Sequence, residues 1–387
     1  MSTLKVDGIR SNSATSDAIT LADNGTCTAN ITNNLSNRNL IINGAMQVAQ
    51  RGTSSTTSGY NTVDRFKIDF GGTDEAITQS QINVAPTETG AGTAGFRNAF
   101  RIQNGNQTSG FGTTDYFQFQ QMIEDQNIAN SGWIVNDPNS FITVSYWIRS
   151  SVAQEYFGFV ETYDGADWMY GWTTGVLTAD TWTKITKTIP GRSNLSWSNN
   201  NGAGLLIAPV TLWGTDRTDN SVGNDVWHAY SGSARTPDAT STWWTTNDAT
   251  VDITGLQVEV NSVATDFEHR SFGQELALCQ RYYYKHADTS GQSVCTGHCY
   301  NSSVNIGVVH FPCKMRATPT LDAPSGTNYY RVISGNGNLL QPNCTREDTN
   351  DTNCGIRFAG GDSTTLGRGC TFRMGSSSAY IAFSAEL

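Results

Sequence analysis

Charged side chains are scarce in this chain of 387 residues, where Asp, Glu, Lys and Arg make up only 15%. An average domain has about 25%. Helical proteins depend on Glu and Lys, so the shortage disfavours an α-helical fold, and the abundance of Thr, Gly, Asn and aromatic residues favours an all-β fold. The net charge of −10, with no long Lys/Arg run, argues against nucleic acid as a partner.

Long hydrophobic runs are also missing, since the longest, such as 205–210, are far shorter than the ~18 residues of a membrane span. We therefore expect no membrane insertion. The first ten residues lack the apolar core of a secretory signal. We expect a protein made in the cytoplasm that leaves the cell, if at all, by another route such as lysis.

Catalytic signatures are absent as well: there is no GxSxG, no HExxH, no P-loop and no GxGxxG that opens a helix. Neighbouring acids could provide the carboxylate pair of a glycoside hydrolase. We interpret them as turn residues and solvated charges, and we predict no enzyme and no catalytic residue. These acids are Glu124, Asp125, Glu161, Asp164, Asp167 and Asp225.

The sequence that is present divides into four parts. Residues 1–40 are polar with sparse apolar positions, which predicts an extended N-terminal arm that orders only against copies of itself or a partner. In residues 41–270 a segment with the residue pattern of a β-strand recurs about every 10–15 residues, which is typical of a jelly-roll β-sandwich. Residues 271–286 form one linking helix, and residues 287–387 form a small C-terminal β tip domain.

Two segments support this division locally. In Phe141–Ile148 every second residue is apolar, which places Ile142, Val144, Tyr146 and Ile148 on one face of a strand. Ser271 with Gln274 forms a capping box at the start of the linking helix.

Seven of the eight cysteines fall between Cys279 and Cys370, which marks the end of the chain as a separate module. Cys295-Thr-Gly-His298-Cys299 resembles half of a zinc site, but the remaining spacing fits no complete site. Disulfides formed outside the cell are the preferred interpretation, and Cys279 is the candidate free thiol. The disulfide candidates, whose pairing stays open, are Cys295, Cys299, Cys313, Cys344, Cys354 and Cys370.

Tryptophan and tyrosine beside Asn and Asp suit sugars, because a pyranose ring can lie on an aromatic ring while amides and carboxylates bind its hydroxyls. In Asp164–Trp172 the aromatics alternate, so Trp168, Tyr170 and Trp172 share one face of the predicted sheet. The predicted glycan-binding residues are Trp168, Tyr170, Trp172, Trp213, Trp227, Trp243 and Trp244.

Two stretches carry a resemblance to known proteins: Asn39–Gly52, and Ile253–Arg270 at the end of the predicted sandwich. They resemble the opening and the closing strand of a family of bacteriophage tail-fibre and virion structural proteins. Glu124, Thr143–Ser151 and Thr181–Gly191 resemble its jelly roll, which is similar to carbohydrate-binding modules. The helix Glu275–Tyr284, the stretch Phe311–Thr320 and the arm segments Leu4–Ile9 and Ala18–Gly25 also match, whereas the cysteine density after residue 290 departs from the family pattern.

The resemblance implies a homotrimeric fibre in the virion, whose residues 1–40 bind a tail or capsid adaptor protein. It implies adsorption to the host through a cell-surface glycan or protein receptor, and a structural calcium ion whose ligands we do not assign. The preferred function is a tail fibre. A head or capsid decoration fibre, a glycan depolymerase and a secreted carbohydrate-binding module are the alternatives.

Overall fold

The structure, a computed structural model, describes residues 6–10, 12, 19–21, 23, 27–29, 37–335 and 337–387. The first three strands are β1 (Gly8–Ile9), β2 (Ile19–Leu21) and β3 (Cys27–Ala29), which form one antiparallel sheet in that order. Ile9 and Leu21 are exposed on this sheet. Most of the predicted arm, residues 1–40, lies outside the described residues.

The jelly-roll region is a sandwich of two six-stranded antiparallel sheets. Its elements are β4 (Ser54–Ser55), β5 (Lys67–Gly71), β6 (Thr78–Asn83), β7 (Asn98–Gln103), β8 (Tyr116–Glu124), α1 (Asp125–Ala129), β9 (Phe141–Ser150), β10 (Phe157–Thr162), β11 (Trp168–Thr173), β12 (Thr183–Pro190), β13 (Ala203–Trp213), β14 (Trp227–Ala229) and β15 (Thr250–Val260). One sheet has the order β14-β11-β10-β13-β8-β5, and the other β12-β9-β15-β7-β6-β4.

The main core lies between these sheets, and β9 shows how the sequence specifies it. Ile142, Val144, Tyr146 and Ile148 are all fully buried in the main core, as the pattern predicts. Thr143 and Ser145 on the other face of the strand are buried as well. The Tyr146 hydroxyl donates to the Pro209 carbonyl oxygen at 2.8 Å and accepts from Trp172 Nε1 at 3.1 Å. The buried hydroxyl of Tyr146 and the buried indole N–H of Trp172 therefore both have hydrogen-bond partners.

The linking helix is shorter than predicted. Helix α2 (Phe272–Gln280) begins with the predicted capping box of Ser271 and Gln274. It does not continue to residue 286, because the next residues form strand β16 (Tyr283–Ala287), which pairs with the last strand of the chain. Consecutive tyrosines favour an extended backbone, and the Tyr282 carbonyl oxygen accepts from Ala385 N at 2.7 Å.

The C-terminal part is a second all-β unit with its own core. Its further strands are β17 (Ser293–Cys299), β18 (Val304–His310), β19 (Thr320–Asp322), β20 (Tyr330–Ser334), β21 (Gly337–Gln341), β22 (Asn343–Thr349), β23 (Asn353–Ala359), β24 (Gly369–Met374) and β25 (Ile381–Ser384). They form a three-stranded sheet, β16-β25-β19, and a seven-stranded sheet, β21-β20-β24-β17-β18-β23-β22. With 41% strand and 4% helix, the protein is all-β.

The predicted disulfides are not formed in the structure: the six candidates and Cys279 are free thiols. Cys299 and Cys354 are fully buried in the core of the C-terminal unit, where a thiol packs as a small apolar side chain. Cys313 lies elsewhere, near the carbonyl oxygen of Ala277 in α2.

Candidate functional site

Five of the seven predicted glycan-binding aromatics are buried, and four of them lie deep in the core. Trp172, Trp213, Trp243 and Trp244 are at most 2% exposed, so no ligand reaches them in this structure. Trp213 packs against Phe159 with ring centroids 5.2 Å apart. Trp172 lies in β11 and Trp213 ends β13, so both are part of the sheets. Trp243 and Trp244 lie in a turn-rich segment, but that segment packs onto the main core.

Tyr170 is the fifth, at 5% exposed. It lies with the partly exposed Trp168 and Trp227 at one edge of the first sheet, on β11 and β14. Tyr170 is directly opposite Trp227 in the antiparallel pair, and their rings meet edge to face at 5.4 Å. Trp227 Nε1 donates to the Pro190 carbonyl oxygen at 2.8 Å, which fixes the indole. Trp168, two residues before Tyr170 on the same strand, is half-buried.

Beside this pair the surface forms an open depression of about 350 Å³. We call it the Tyr170–Trp227 depression. The segment after β12 closes one side of it, and the loop before β14 closes the other. Its lining residues are Pro138, Tyr170, Pro190, Gly191, Arg192, Ser193, Asp225, Val226 and Trp227.

Two polar groups of the depression are held in place by the strands. Asp225 has a left-handed backbone (φ 59°), its amide donates to the Gly171 carbonyl oxygen at 2.7 Å, and its carboxylate accepts from Lys187 Nζ at 3.2 Å. Burial, together with the Asp225 charge, raises the pKa of Tyr170 to about 12. The Tyr170 hydroxyl is therefore protonated at neutral pH and available as a hydrogen-bond donor.

Arg192 provides the cation of the depression. Its guanidinium carbon lies 3.5 Å from the centroid of the Trp168 ring, and its backbone amide donates to the Val135 carbonyl oxygen at 2.7 Å. The sequence predicts neither Arg192 nor Asp225 as a glycan contact, and Asp225 is interpreted above only as a turn residue or solvated charge. The reason is that the two residues reach the site from segments far apart in the chain. An apolar floor with a hydroxyl, a carboxylate and a guanidinium at its rim is suited to a polyhydroxylated ligand.

The acidic residues considered above are not all solvated. Glu124 and Asp125 are buried, and so is Glu161 on β10, at 6% exposed. Burial raises the pKa of Glu161 to about 7, with the Arg235 charge opposing and the Asp167 charge adding to the shift. Glu161 lies on the face of the sheet opposite to Tyr170, since its direct partner on β11 is Met169.

The Cys295–Cys299 motif does not form a metal half-site. It lies in β17, where alternate residues face opposite sides, so Cys299 is buried while His298 is exposed. Within the part of the chain that the structure describes, no group of three or more His, Cys, Asp or Glu residues could hold a metal ion. In the same part, no helix has the length and apolar character needed to span a bilayer.

No family model matches the chain, and no curated protein matches it. Solved structures are similar to it at low identity. The enzymatically active domain of tailspike protein 4 from bacteriophage CBA120 is 12% identical with a TM-score of 0.31, over 57% of this chain and 21% of that chain. A putative sugar-binding protein from Bacteroides thetaiotaomicron is 11% identical with a TM-score of 0.32, over 58% of this chain and 100% of that chain.

A family 11 carbohydrate-binding module from Clostridium thermocellum, in complex with a β-1,3-1,4-mixed-linked tetrasaccharide, is 11% identical with a TM-score of 0.25, over 55% of this chain and 98% of that chain. The chain thus spans about a fifth of the tailspike chain and nearly the whole length of the two sugar-binding structures.

Proposed function

We propose that this protein is a non-enzymatic glycan-binding fibre of a bacteriophage virion and that the Tyr170–Trp227 depression is its glycan site. The edge-to-face aromatic pair at an open depression is the observation that supports the site. A sugar ring stacks on the exposed part of Trp227, while the Tyr170 hydroxyl and the Asp225 carboxylate bind its hydroxyls. One such shallow site gives weak, reversible binding.

The fibre part of the proposal depends on the sequence resemblance described above. Residues 1–40 attach the fibre to a tail or capsid adaptor protein, and three copies assemble so that the exposed Ile9 and Leu21 of the N-terminal sheet become covered. Three sites on one fibre raise the avidity for a host surface. The protein is made in the host cytoplasm and assembles into the tail fibre of the virion, which is released when the host cell lyses.

A glycan array with the full chain tests the site, followed by titration of the best ligand. We expect Trp227→Ala to abolish binding, and Tyr170→Phe and Asp225→Asn to weaken it about tenfold, the cost of one lost hydrogen bond. Tyr300→Ala, at an exposed aromatic of the C-terminal unit, is the matched control. Full binding by all three depression variants would contradict the site.

Two further measurements test the fibre. Light scattering on the purified chain should give three times the monomer mass of 41.9 kDa, and pre-incubation of host cells with the protein should block phage adsorption. A monomer would contradict the trimer. Coated cells that still adsorb phage would favour the head or capsid decoration fibre.

A depolymerase is the second candidate, because Glu161 has the property of a general acid. It is buried, its pKa is about 7 with the Asp167 charge contributing, and a raised pKa is typical of the proton donor in glycoside hydrolases. Reducing sugar released from host polysaccharide by the wild type and lost in Glu161→Gln would support this candidate. No release by the wild type would exclude it for that polysaccharide.

A further inference from the structure

We propose that the Tyr170–Trp227 depression selects acidic glycans and that Arg192 binds the anionic group of the sugar. That group is the carboxylate of a uronic acid or a sulfate ester, which present the same charged oxygens. The inference rests on the proposed glycan binding and adds the charge of the ligand to it.

Arg192 differs from the other arginines between residues 37 and 270, a range that the structure describes without a gap. Each of the others donates a side-chain hydrogen bond or forms an ion pair. Arg149, for example, is paired with Asp252 at 2.7 Å. In the same range, no backbone carbonyl, side-chain acceptor or carboxylate accepts from the Arg192 guanidinium, and its Nε is buried without a partner.

The position of Arg192 beside Trp168 allows its guanidinium to bind an anion. Its guanidinium carbon lies 3.5 Å from the centroid of the Trp168 ring, so the indole covers one side of the cation. Arg192 also lines the depression, which brings its side chain beside the aromatic pair. A planar guanidinium donates two parallel hydrogen bonds to a carboxylate or sulfate. The cation–π contact restricts the side chain beforehand, which lowers the entropic cost of binding.

The local charges favour the same ligand. Asp225, the carboxylate of the depression, is already paired with Lys187 at 3.2 Å, so Arg192 is the uncompensated charge there. The whole chain carries −10, and a polyanion is therefore repelled from most of the surface. Binding of an acidic glycan thus requires a specific contact, and Arg192 is placed beside the aromatic pair to make it.

The test compares three probes by titration calorimetry on the full chain: oligogalacturonate, its neutral methyl ester and a sulfated galactan oligosaccharide. We expect the two acidic probes to bind at least about tenfold more tightly than the ester, the value of a charge-assisted contact. We expect Arg192→Gln to remove this preference. The matched control is Arg217→Gln, whose guanidinium stacks on Tyr116 at 4.4 Å outside the depression and should keep the preference.

Equal binding of acid and ester by the wild type, or an acid preference that survives in Arg192→Gln, would overturn the inference. Binding of neutral array glycans without binding of either acidic probe would overturn it too, and would leave the proposed function intact. Failure of every glycan to bind would contradict both. A preference for one acidic probe over the other identifies the anionic group as carboxylate or sulfate.

Discussion

Glu124 and Arg281 form a two-point ion pair between the end of β8 and the residue that follows α2, with Nε to Oε1 at 2.7 Å and Nη2 to Oε2 at 2.8 Å. The Tyr282 hydroxyl donates to the same carboxylate. Burial works against the charged form, but these hydrogen bonds hold the pKa of Glu124 below its ordinary value. The pair joins the sandwich to the first residues of the C-terminal unit.

Removal of one partner should therefore be costly. We expect Glu124→Gln to lower the free energy of unfolding by about 3 kcal/mol, because the Arg281 charge stays partly buried without its counter-ion. The double variant Glu124→Gln/Arg281→Gln should lose less than the sum of the single variants, with a coupling of about 1–3 kcal/mol. Urea unfolding of the four proteins measures this cycle, and strictly additive losses would show that the pair does not couple the two units.

Protonation of buried acids should make the protein more stable at mildly acidic pH. The pKa of Glu161 is raised from 4.5 to about 7 and that of Asp64 from 3.8 to about 6, in both cases first by burial. Between about pH 4 and 7 the folded state then binds more protons than the unfolded state, so the unfolding free energy falls as the pH rises.

From Glu161 alone we expect a loss of about 3 kcal/mol between pH 4.5 and 8. Urea unfolding at pH 5, 6, 7 and 8 measures it, and Glu161→Gln should flatten the profile. The exposed Asp180→Asn serves as control. If the unfolding free energy of the wild type rose with pH over this range, the result would contradict the burial of an uncharged Glu161.

Local patterns predicted the strands well and the accessible residues poorly. The alternation in β9 is a property of neighbouring residues, so the buried face of that strand could be read from Phe141–Ile148. Trp213 is different, because its burial depends on distant groups: Arg235 lies over its ring at 4.9 Å, and Phe159 of another strand packs beside it.

The depression has the same non-local origin. Tyr170, Arg192 and Trp227 meet only when β11, the end of β12 and β14 have taken their places in the sandwich. Trp227 could be selected as an aromatic in a turn-rich stretch, but no spacing in the sequence relates it to Arg192. The end of α2 also depends on a distant partner, since Tyr283 pairs with Ser384 in β25.

Thiol reactivity should follow burial in the C-terminal unit. Cys299 and Cys354 are fully buried, whereas Cys313 is partly accessible. Burial raises the pKa of both the Cys313 and the Cys354 thiols, so their different accessibility decides which one reacts first. We expect a thiol reagent to label Cys313 first in the native protein, and Cys299 and Cys354 only after unfolding, as peptide mass spectrometry can show.

The same experiment tests the predicted disulfides. In protein purified under reducing conditions, every cysteine should react with the thiol reagent after denaturation. In protein from mature virions, fewer cysteines should react if disulfides form outside the cell. Equal thiol numbers in both preparations would show that the cysteines stay reduced in the particle. Labelling of Cys354 before Cys313 in the native protein would contradict the packing of the seven-stranded sheet.

Gly255 in β15 should tolerate no side chain. Its φ of +65° belongs to the left-handed region, and a Cβ placed there would be 2.5 Å from Cζ of Phe96. The strand is irregular at this point, since its register with β9 shifts between Thr254 and Gln257. We expect Gly255→Ala to lower the unfolding free energy by about 2–4 kcal/mol, from backbone strain together with displacement of a buried ring.

Gly110 separates these two costs. It has a similar φ of +79° but no atom within 4 Å of the site of a Cβ. Gly110→Ala should therefore cost only about 1 kcal/mol, the backbone part alone. If thermal and urea unfolding showed equal losses of stability for the two variants, the Phe96 contact would contribute nothing. The need for glycine at position 255 would then come from the backbone conformation alone.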